Sequence, residues 1–384
     1  MSRYQRSLAA SGSGLESVDS FEAAGTSINE IIDSKMTSSE EMLRKMQSDS
    51  DVSAKTLQKF TDTLNTKGRR ALKAVHQSDA NYFTKHPEAA ELLEVIVRTD
   101  GSRPSYLIKN GTADLSGTPD GLWKNILLAN KDRIDKAIAC VGRIDRYGQQ
   151  VGTGFLISKN VIVTNLHVLQ ALGSKTNGNW TLNEEVTIDF GYEFNGIGSI
   201  NPRALKKVLF EAGKPIDRTK IDHSKLDMAV IELEPLADDT GLQTLNFDGK
   251  TDRFWDDSYI YTIGYPGNPG LQGLSTYGIV LEQLYQSTYG YKRLSPGQVI
   301  ADADMAVHKT ICHDASTLGG NSGSVIIGAG RESCAGALHY GGTLAMPKQN
   351  WGHLLAATLD VKDKKKRAKL SEILADANVI IEKV

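Results

Sequence analysis

The sequence predicts a mainly β protein with a mostly helical region in front and a helix at its end. Two observations carry this. From about residue 137 the chain becomes a dozen short β-branched runs separated by Gly, Asn and Asp, whereas before that point its apolar residues recur at helical spacings. From residue 360 onward, DVKDKKKRAKLSEILADANVIIEK returns to an amphipathic helical pattern.

Residues 1–50 are rich in Ser, Asp, Glu and Gly, with too few apolar side chains to offset the entropy of ordering a backbone, so a flexible or weakly ordered segment is expected there. Toward its end and beyond, from about residue 27 to 77, the spacing of Ile28, Ile31 and Ile32, and later of Leu57, Phe60 and Leu64, fits amphipathic helices. Further helices are expected within a docking or regulatory region over 51–132, one across HPEAAELLEVIVR, where Pro87 suits a first turn, and one across GLWKNILLANKDRIDKAI. Between them DGSRPSYLIKNGTADLSGTPDG, with its Asn-Gly pair, reads as a short hairpin or loop. The strand candidates are AIACVGRI, VGTGFLI, VIVTN, EVTIDF, KKVLF, DMAVIEL, YIYTIGY, TYGIVLEQL, GQVIADA, AVHKTIC, SGSVIIG and CAGALHY. They follow one another without intervening helices, which argues for antiparallel pairing, since parallel strands need helical crossovers. In the tail, KDKKKR reads as a solvated helix face.

The 384 residues are 40% hydrophobic and 23% charged, enough for more than one core. With 44 basic and 46 acidic residues the net charge is -2, which supplies no field to draw the protein onto nucleic acid or an anionic membrane. Neither is expected as a partner. The N-terminus lacks the apolar run of a secretory signal, and no stretch is apolar for the length of a bilayer crossing. Cys140, Cys312 and Cys334 are odd in number and show no CxxC spacing, so the expectation is no disulfide framework, no metal site, no cofactor, and a reducing, cytoplasmic compartment.

Three local patterns bear chemistry, in one order along the β region. GTGFLISKNVIVTNLHVL holds His167, KLDMAVIELE holds Asp227 before an apolar strand, and TLGGNSGSVI holds Ser322 among glycines. Singly, each has a plainer reading: a satisfied core histidine, a turn aspartate, a Gly-Ser-Asn loop. Together they could form a proton relay. A serine hydroxyl is a poor nucleophile at neutral pH and needs a hydrogen-bonded base such as imidazole, while the imidazolium formed needs a fixed anion on its other nitrogen. The glycines beside Ser322 leave the turn unobstructed, so that the N–H groups of Gly320 and Ser322 can converge on the oxygen of a tetrahedral intermediate.

With this order of motifs, residues 137–345 resemble the trypsin-like (chymotrypsin-fold) serine peptidases. The resemblance implies two six-stranded antiparallel barrels, expected over 133–240 and 241–358, with a closing helix over 359–384. It also implies a triad of His167, Asp227 and Ser322 acting through an acyl-enzyme on a protein or peptide substrate. TNLHV replaces the TAAHC of the digestive enzymes, and Asn321 stands where their zymogens carry an Asp that pairs with a new N-terminal amine. Activation by that route is therefore not expected. Asn at this position is shared with the bacterial glutamyl-endopeptidase-like branch, which the sequence resembles more closely than the HtrA branch. Ser316, six residues before the nucleophile, is not acidic, which argues against a basic P1 residue. Thr317 and His339 match the hydroxyl and imidazole of the glutamyl-endopeptidase pocket, implying cleavage after Glu, or less readily Asp, through charge-assisted hydrogen bonds. Tyr340, Gly341 and Gly342 match the strand that pairs with an extended substrate. A second reading stays open: a catalytically silent peptide-binding or partner-docking module on the same scaffold.

Overall fold

The computed structural model describes residues 28–49, 54–77, 103–116, 121–195, 202–217, 221–254, 258–268, 288–300, 309–342, 349–363 and 367–383, with single positions between them. It divides into two compact units, one of residues 1–104, 270–288 and 343–349, the other of residues 105–269, 289–342 and 350–384. Residues 1–27, most of the helix expected across HPEAAELLEVIVR, and the strand candidate TYGIVLEQL except its last residue lie outside the described residues.

In the first unit, α1 (Ile28–Asp49), α2 (Ala54–Thr63) and α3 (Arg69–His76) realise the predicted helical spacings, with a π-helical turn over Leu64–Gly68 joining the last two. Asn65 Nδ2 donates to Glu40 Oε1 at 2.5 Å and Arg69 pairs with Asp33, so the chain through α2 and α3 runs antiparallel to α1. Ile32, Met36 and Leu64 are buried, as a helical apolar stripe requires.

The second unit opens with a hairpin, β1 (Tyr106–Lys109) and β2 (Thr112–Ala113). Its two turn residues, Asn110 and Gly111, have φ of 52° and 75°, both left-handed, as a tight hairpin turn demands and an Asn-Gly pair supplies. β1 pairs with a strand of the second barrel, so the 51–132 stretch expected as one helical region is shared between the two units from residue 105 on. Helices α4 (Leu122–Ala129) and α5 (Lys131–Ala139) follow, interrupted at Asn130. α5 takes the first residues of AIACVGRI, expected as strand, because Ile134, Ala137 and Ile138 share one helical face and all are buried.

The first barrel contains β3 (Val141–Arg146), β4 (Gln149–Ser158) and β5 (Val161–Thr164). After it come α6 (Leu166–Leu172) and a two-stranded hairpin, β6 (Gly173–Thr176) and β7 (Asn179–Leu182). The barrel resumes with β8 (Val186–Asp189), β9 (Arg203–Glu211) and β10 (Ala229–Leu233), and its six strands close in the order β10-β5-β4-β3-β8-β9. β11 (Asn246–Asp248) leads to the second barrel, made of β12 (Tyr259–Gly264), β13 (Arg293–Ile300), β14 (Thr310–His313) and β15 (Val325–Gly328). After the short β16 (Cys334–Ala335), β17 (Ala337–Gly342) and β18 (Asn350–Leu354) complete it. These six follow the order β12-β15-β17-β18-β14-β13, and pairing of β12 with β13 closes the ring.

β13 begins four residues before the GQVIADA candidate and runs through Pro296. Among the described residues, β1 takes its other side at Arg293 and Leu294 and β14 at Val299 and Ile300, so Pro296 sits in an interval without a described strand partner there. A missing N–H on that side removes no ladder bond. The tail is less helical than expected. α7 (Leu370–Asp376) is followed by Asn378, whose φ is 55°, and β19 (Ile381–Glu382) then pairs in parallel with β11. One buried apolar cluster, including Val163 and Ile231 of the first barrel and Ile263 and Leu338 of the second, runs through both barrels. The buried Lys292 ammonium donates to Phe190 O at 2.7 Å and Ile138 O at 3.1 Å, tying the start of β13 to the first-barrel side.

Candidate active site

His167 lies in the first turn of α6, entered from β5 through Asn165. The segment VTNLHVL, an apolar run that suggests a strand end, turns helical after Asn165. Leu166, Val168, Leu169 and Leu172 there pack into the core at helical spacing. Asp227 precedes β10 in the adjoining strand pair, since Ala229 is registered opposite Thr164. The two residues meet twice. The backbone N–H of His167 donates to Asp227 Oδ1 at 2.9 Å, and His167 Nδ1 lies 2.5 Å from Asp227 Oδ2. Both residues are buried. With Nδ1 facing a carboxylate, the neutral ring carries its proton there and keeps a lone pair on Nε2.

The main chain of Asp227 is held as firmly as its carboxylate. Asn165 Nδ2 donates to Asp227 O at 2.9 Å, and the Asp227 N–H donates to His353 Nε2 at 3.0 Å. His353, on β18, stacks on Tyr340 with ring centroids 4.0 Å apart and planes at 16°. Tyr340 Oη in turn lies 2.6 Å from His223 Nδ1. Burial pushes the His353 imidazole down to about 4, against the Asp227 carboxylate, which raises it, and together with His223, which lowers it.

Ser322 sits in the turn between β14 and β15, and Thr153 of β4 holds that turn at several points. Thr153 N–H donates to Ser322 O at 2.8 Å, and its hydroxyl donates to Gly320 O at 2.9 Å while accepting from the Tyr265 N–H at 3.2 Å. The Gly267 N–H donates to Gly319 O at 2.6 Å. In a trans peptide the N–H opposes the C=O, so the Gly320 N–H points away from Gly267. Gly320 has φ of 92°, and a Cβ there would lie 2.6 Å from Tyr265 O. Gly323 has φ of 91°, and its Cβ would lie 2.0 Å from Thr153 O. Only glycine fits either position. A Cβ on Gly152 would lie 2.7 Å from Val168 Cγ2 and 3.1 Å from Ser322 O. The residue after His167 and the backbone of Ser322 therefore meet the same point of β4. Among the described residues, the Ser322 hydroxyl has no hydrogen-bond partner.

Two closed six-stranded barrels go together with a likeness to known sequences. A model described as the trypsin-like peptidase domain matches residues 152–332. A probable serine protease of Lysobacter enzymogenes is 31% identical over 272 residues, which make up 65% of this chain and 69% of that protein. The chain belongs to the trypsin-like serine peptidases. Among solved structures, the peptidase is similar to a Glu endopeptidase in complex with MPD, at 17% identity and TM-score 0.42, over 62% of this chain and 90% of that one. It is also similar to the inactive form of the Ser343Ala mutant of Rv3671c from M. tuberculosis H37Rv, at 16% identity and TM-score 0.37, over 69% of this chain and 98% of that one.

The predicted pocket residues of the peptidase are all placed in its second barrel. Ser316, Thr317 and His339 are buried. The Thr317 hydroxyl lies 2.6 Å from Asn350 Oδ1, and Asn350 Nδ2 donates to Ala315 O at 2.8 Å. His339 packs edge-on against His313 at 5.5 Å between centroids, and its main chain brackets the Ser322 turn, accepting from Gly323 N and donating to Ser324 O. β15 pairs with β17 only at Ala337 and Leu338, so Tyr340, Gly341 and Gly342 run past its end. Thr153, Asn165, His353 and Asn350 escaped the sequence reading. Asn165 and Thr153 stand in the quoted GTG and TNLH strings, whereas NWGHL, which holds Asn350 and His353, was not recognised as a strand. No helix among the described residues is long and apolar enough to cross a membrane.

Proposed function

We propose that the peptidase cleaves protein substrates with Ser322 as nucleophile, His167 as general base and then general acid, and Asp227 as the fixed anion. The observation that carries this reading is the two-point grip of Asp227 on His167, which supports a tautomer with its lone pair on Nε2. In the first step Ser322 Oγ bonds to the scissile carbonyl carbon and its proton passes to Nε2. Asp227 stabilises the imidazolium without taking the proton. The N–H groups of Gly320 and Ser322 would receive the developing oxyanion. The imidazolium then protonates the leaving amine, and water, deprotonated by the same ring, releases the acyl group.

For P1, an acidic residue is our reading, with Ser316, Thr317 and His339 as pocket residues and Tyr340, Gly341 and Gly342 pairing with the extended substrate. The Thr317 hydroxyl is engaged by Asn350, which leaves the Ser316 hydroxyl and the His339 ring as the proposed donors to a P1 carboxylate. The N-terminal region, with its helical part over 51–132, is proposed to have a docking or regulatory role toward a protein partner; the grouping of residues 1–104 in one compact unit supports this. Cys140, Cys312 and Cys334 are buried and none is in a disulfide among the described residues, which is compatible with a reducing cytoplasm, bacterial in the proposed setting.

Mapping the new termini made in a proteome by the wild type and by Ser322→Ala tests activity and P1 choice together. The variant is expected to lose kcat on the order of a million-fold, as when subtilisin loses its serine, and to lose fluorophosphonate labelling. Wild-type protein that is folded but neither cleaves nor labels would favour a peptide-binding module. Termini without acidic P1 enrichment would overturn the pocket assignment. Full-length protein and a chain starting at Ser105 with identical substrate sets would remove the docking role.

A further inference from the structure

Asp227 is gripped from the side opposite His167 by a residue for which the triad chemistry has no role. We propose that His353 is a positioning residue: its Nε2 anchors the backbone of Asp227, and its stacked contact with Tyr340 couples the substrate-pairing strand β17 to the carboxylate. This rests on the triad reading above and extends it.

The geometry is specific in three respects. First, the Asp227 N–H reaches a ring nitrogen at 3.0 Å, so that nitrogen must carry a lone pair, and the imidazole must be neutral with its proton on Nδ1. A protonated ring would present N–H to N–H and push the aspartate away. Burial keeps the neutral form, since His353 is 3% exposed, and its two titratable neighbours act in opposite directions, the Asp227 carboxylate raising its affinity for a proton and His223 lowering it. Second, the bond sits on the backbone of the residue whose two carboxylate oxygens hold His167. A shift of the Asp227 main chain is passed directly to the ring that must meet Ser322. Third, the other face of the link is substrate-side. His353 lies flat on Tyr340, whose hydroxyl is bound to His223 in the segment leading to Asp227. Tyr340 is thus joined to Asp227 through His353 on one side and through His223 and the three residues Ser224–Leu226 on the other. A side chain chosen only to fill the barrel would need neither an acceptor at Nε2 nor a ring face on Tyr340; leucine would fill the space.

The test compares three full-length proteins, the wild type, His353→Phe and His353→Gln. Phe keeps a ring against Tyr340 but removes the acceptor, while Gln places a carbonyl oxygen at the reach of Nε2. Each is titrated with a fluorophosphonate so that rates refer to intact sites, and each is checked for native unfolding behaviour. The expected result is that His353→Phe lowers kcat per titrated site on the order of tenfold to a hundredfold with KM little changed, because the base is displaced rather than the substrate lost. His353→Gln should recover most of that loss. His353→Phe with wild-type kcat per site would overturn the proposal, as would a folded His353→Gln no better than His353→Phe. If His353→Phe does not fold, His353→Leu takes its place with the same two outcomes. Failure of the underlying triad reading has a different signature, in that wild-type Ser322 itself would not label.

Discussion

The two halves of the site are built by different means. Around His167 and Asp227, side chains hold side chains and main chain: the Asn165 amide, the His167 ring and the His353 imidazole, from two separate segments, converge on one residue, Asp227. Around Ser322 the main chain does nearly everything, with φ values that only glycine tolerates and carbonyls hooked onto Thr153 and Gly267. The difference teaches where each half is vulnerable. In the first, a change of polar group should disturb chemistry and leave the barrel intact. In the second, adding a single methyl group should disturb the turn itself.

The sharpest way to break this comparison is to change Asp227 without changing its shape. Asp227→Asn leaves the volume and the backbone bonds to Asn165 and His353, yet it can no longer accept from both the N–H and the ring of His167. The expected loss is about ten-thousand-fold in kcat, with a melting temperature near wild type, read by hydrolysis of a peptide substrate and by thermal unfolding. A much smaller loss would mean that the grip on His167 is not what sets the base. Gly323→Ala should behave in the opposite way. Its Cβ would fall 2.0 Å from Thr153 O and 2.6 Å from Thr164 Oγ1, at a φ of 91°. The expected cost is about 3 to 5 kcal/mol of folding stability from backbone strain and overpacking together, measured by urea unfolding, with activity lost through the displaced turn. A variant as stable as wild type would show that the turn has slack and would weaken the contrast.

What the sequence made legible follows the same division. The turn that holds Ser322 could be read because glycine leaves a mark: GGNSGS has no plausible use in a strand or helix, and the two positive-φ positions, Gly320 and Gly323, fall within it. The His and Asp segments could be read by their order within an all-β region. The supports around Asp227 could not, because they come from strands distant in the chain. His353 stands 126 residues beyond Asp227, in NWGHL, a run with two polar residues and a glycine that does not announce a strand. It becomes one because β14 and β17 flank it and supply its ladder partners. The helix at His167 was hidden for a related reason. LHVLQAL is apolar enough for either structure, and the choice is made by the packing of Leu166, Leu169 and Leu172 against the barrel. Propensity fixed the Asn-Gly hairpin at residues 110 and 111, where the constraint is local, and left undecided the elements whose constraint is tertiary.

The smallest effect expected is also the one that reports on the side-chain half without any substrate. A histidine that takes up a proton near 6.5 when unfolded and only near 4 when folded makes the unfolded chain bind more protons between those values. Stability should therefore be steady above pH 6.5, fall as pH drops toward 4, and level off below it, since both states are then protonated at this site. Two and a half pH units of difference correspond to about 3 kcal/mol, diminished by whatever relaxation a buried imidazole permits. The measurement is urea unfolding at pH 7.5 and at pH 4.5 for the wild type and for His353→Gln, which removes the proton uptake while keeping an acceptor for the Asp227 N–H. Other groups titrate in that interval in both proteins, so the difference between their pH slopes belongs to His353. Equal slopes would mean that the ring takes up a proton as readily in the folded state as in the unfolded one, and a ring so easily protonated could not keep the lone pair that accepts from the Asp227 N–H.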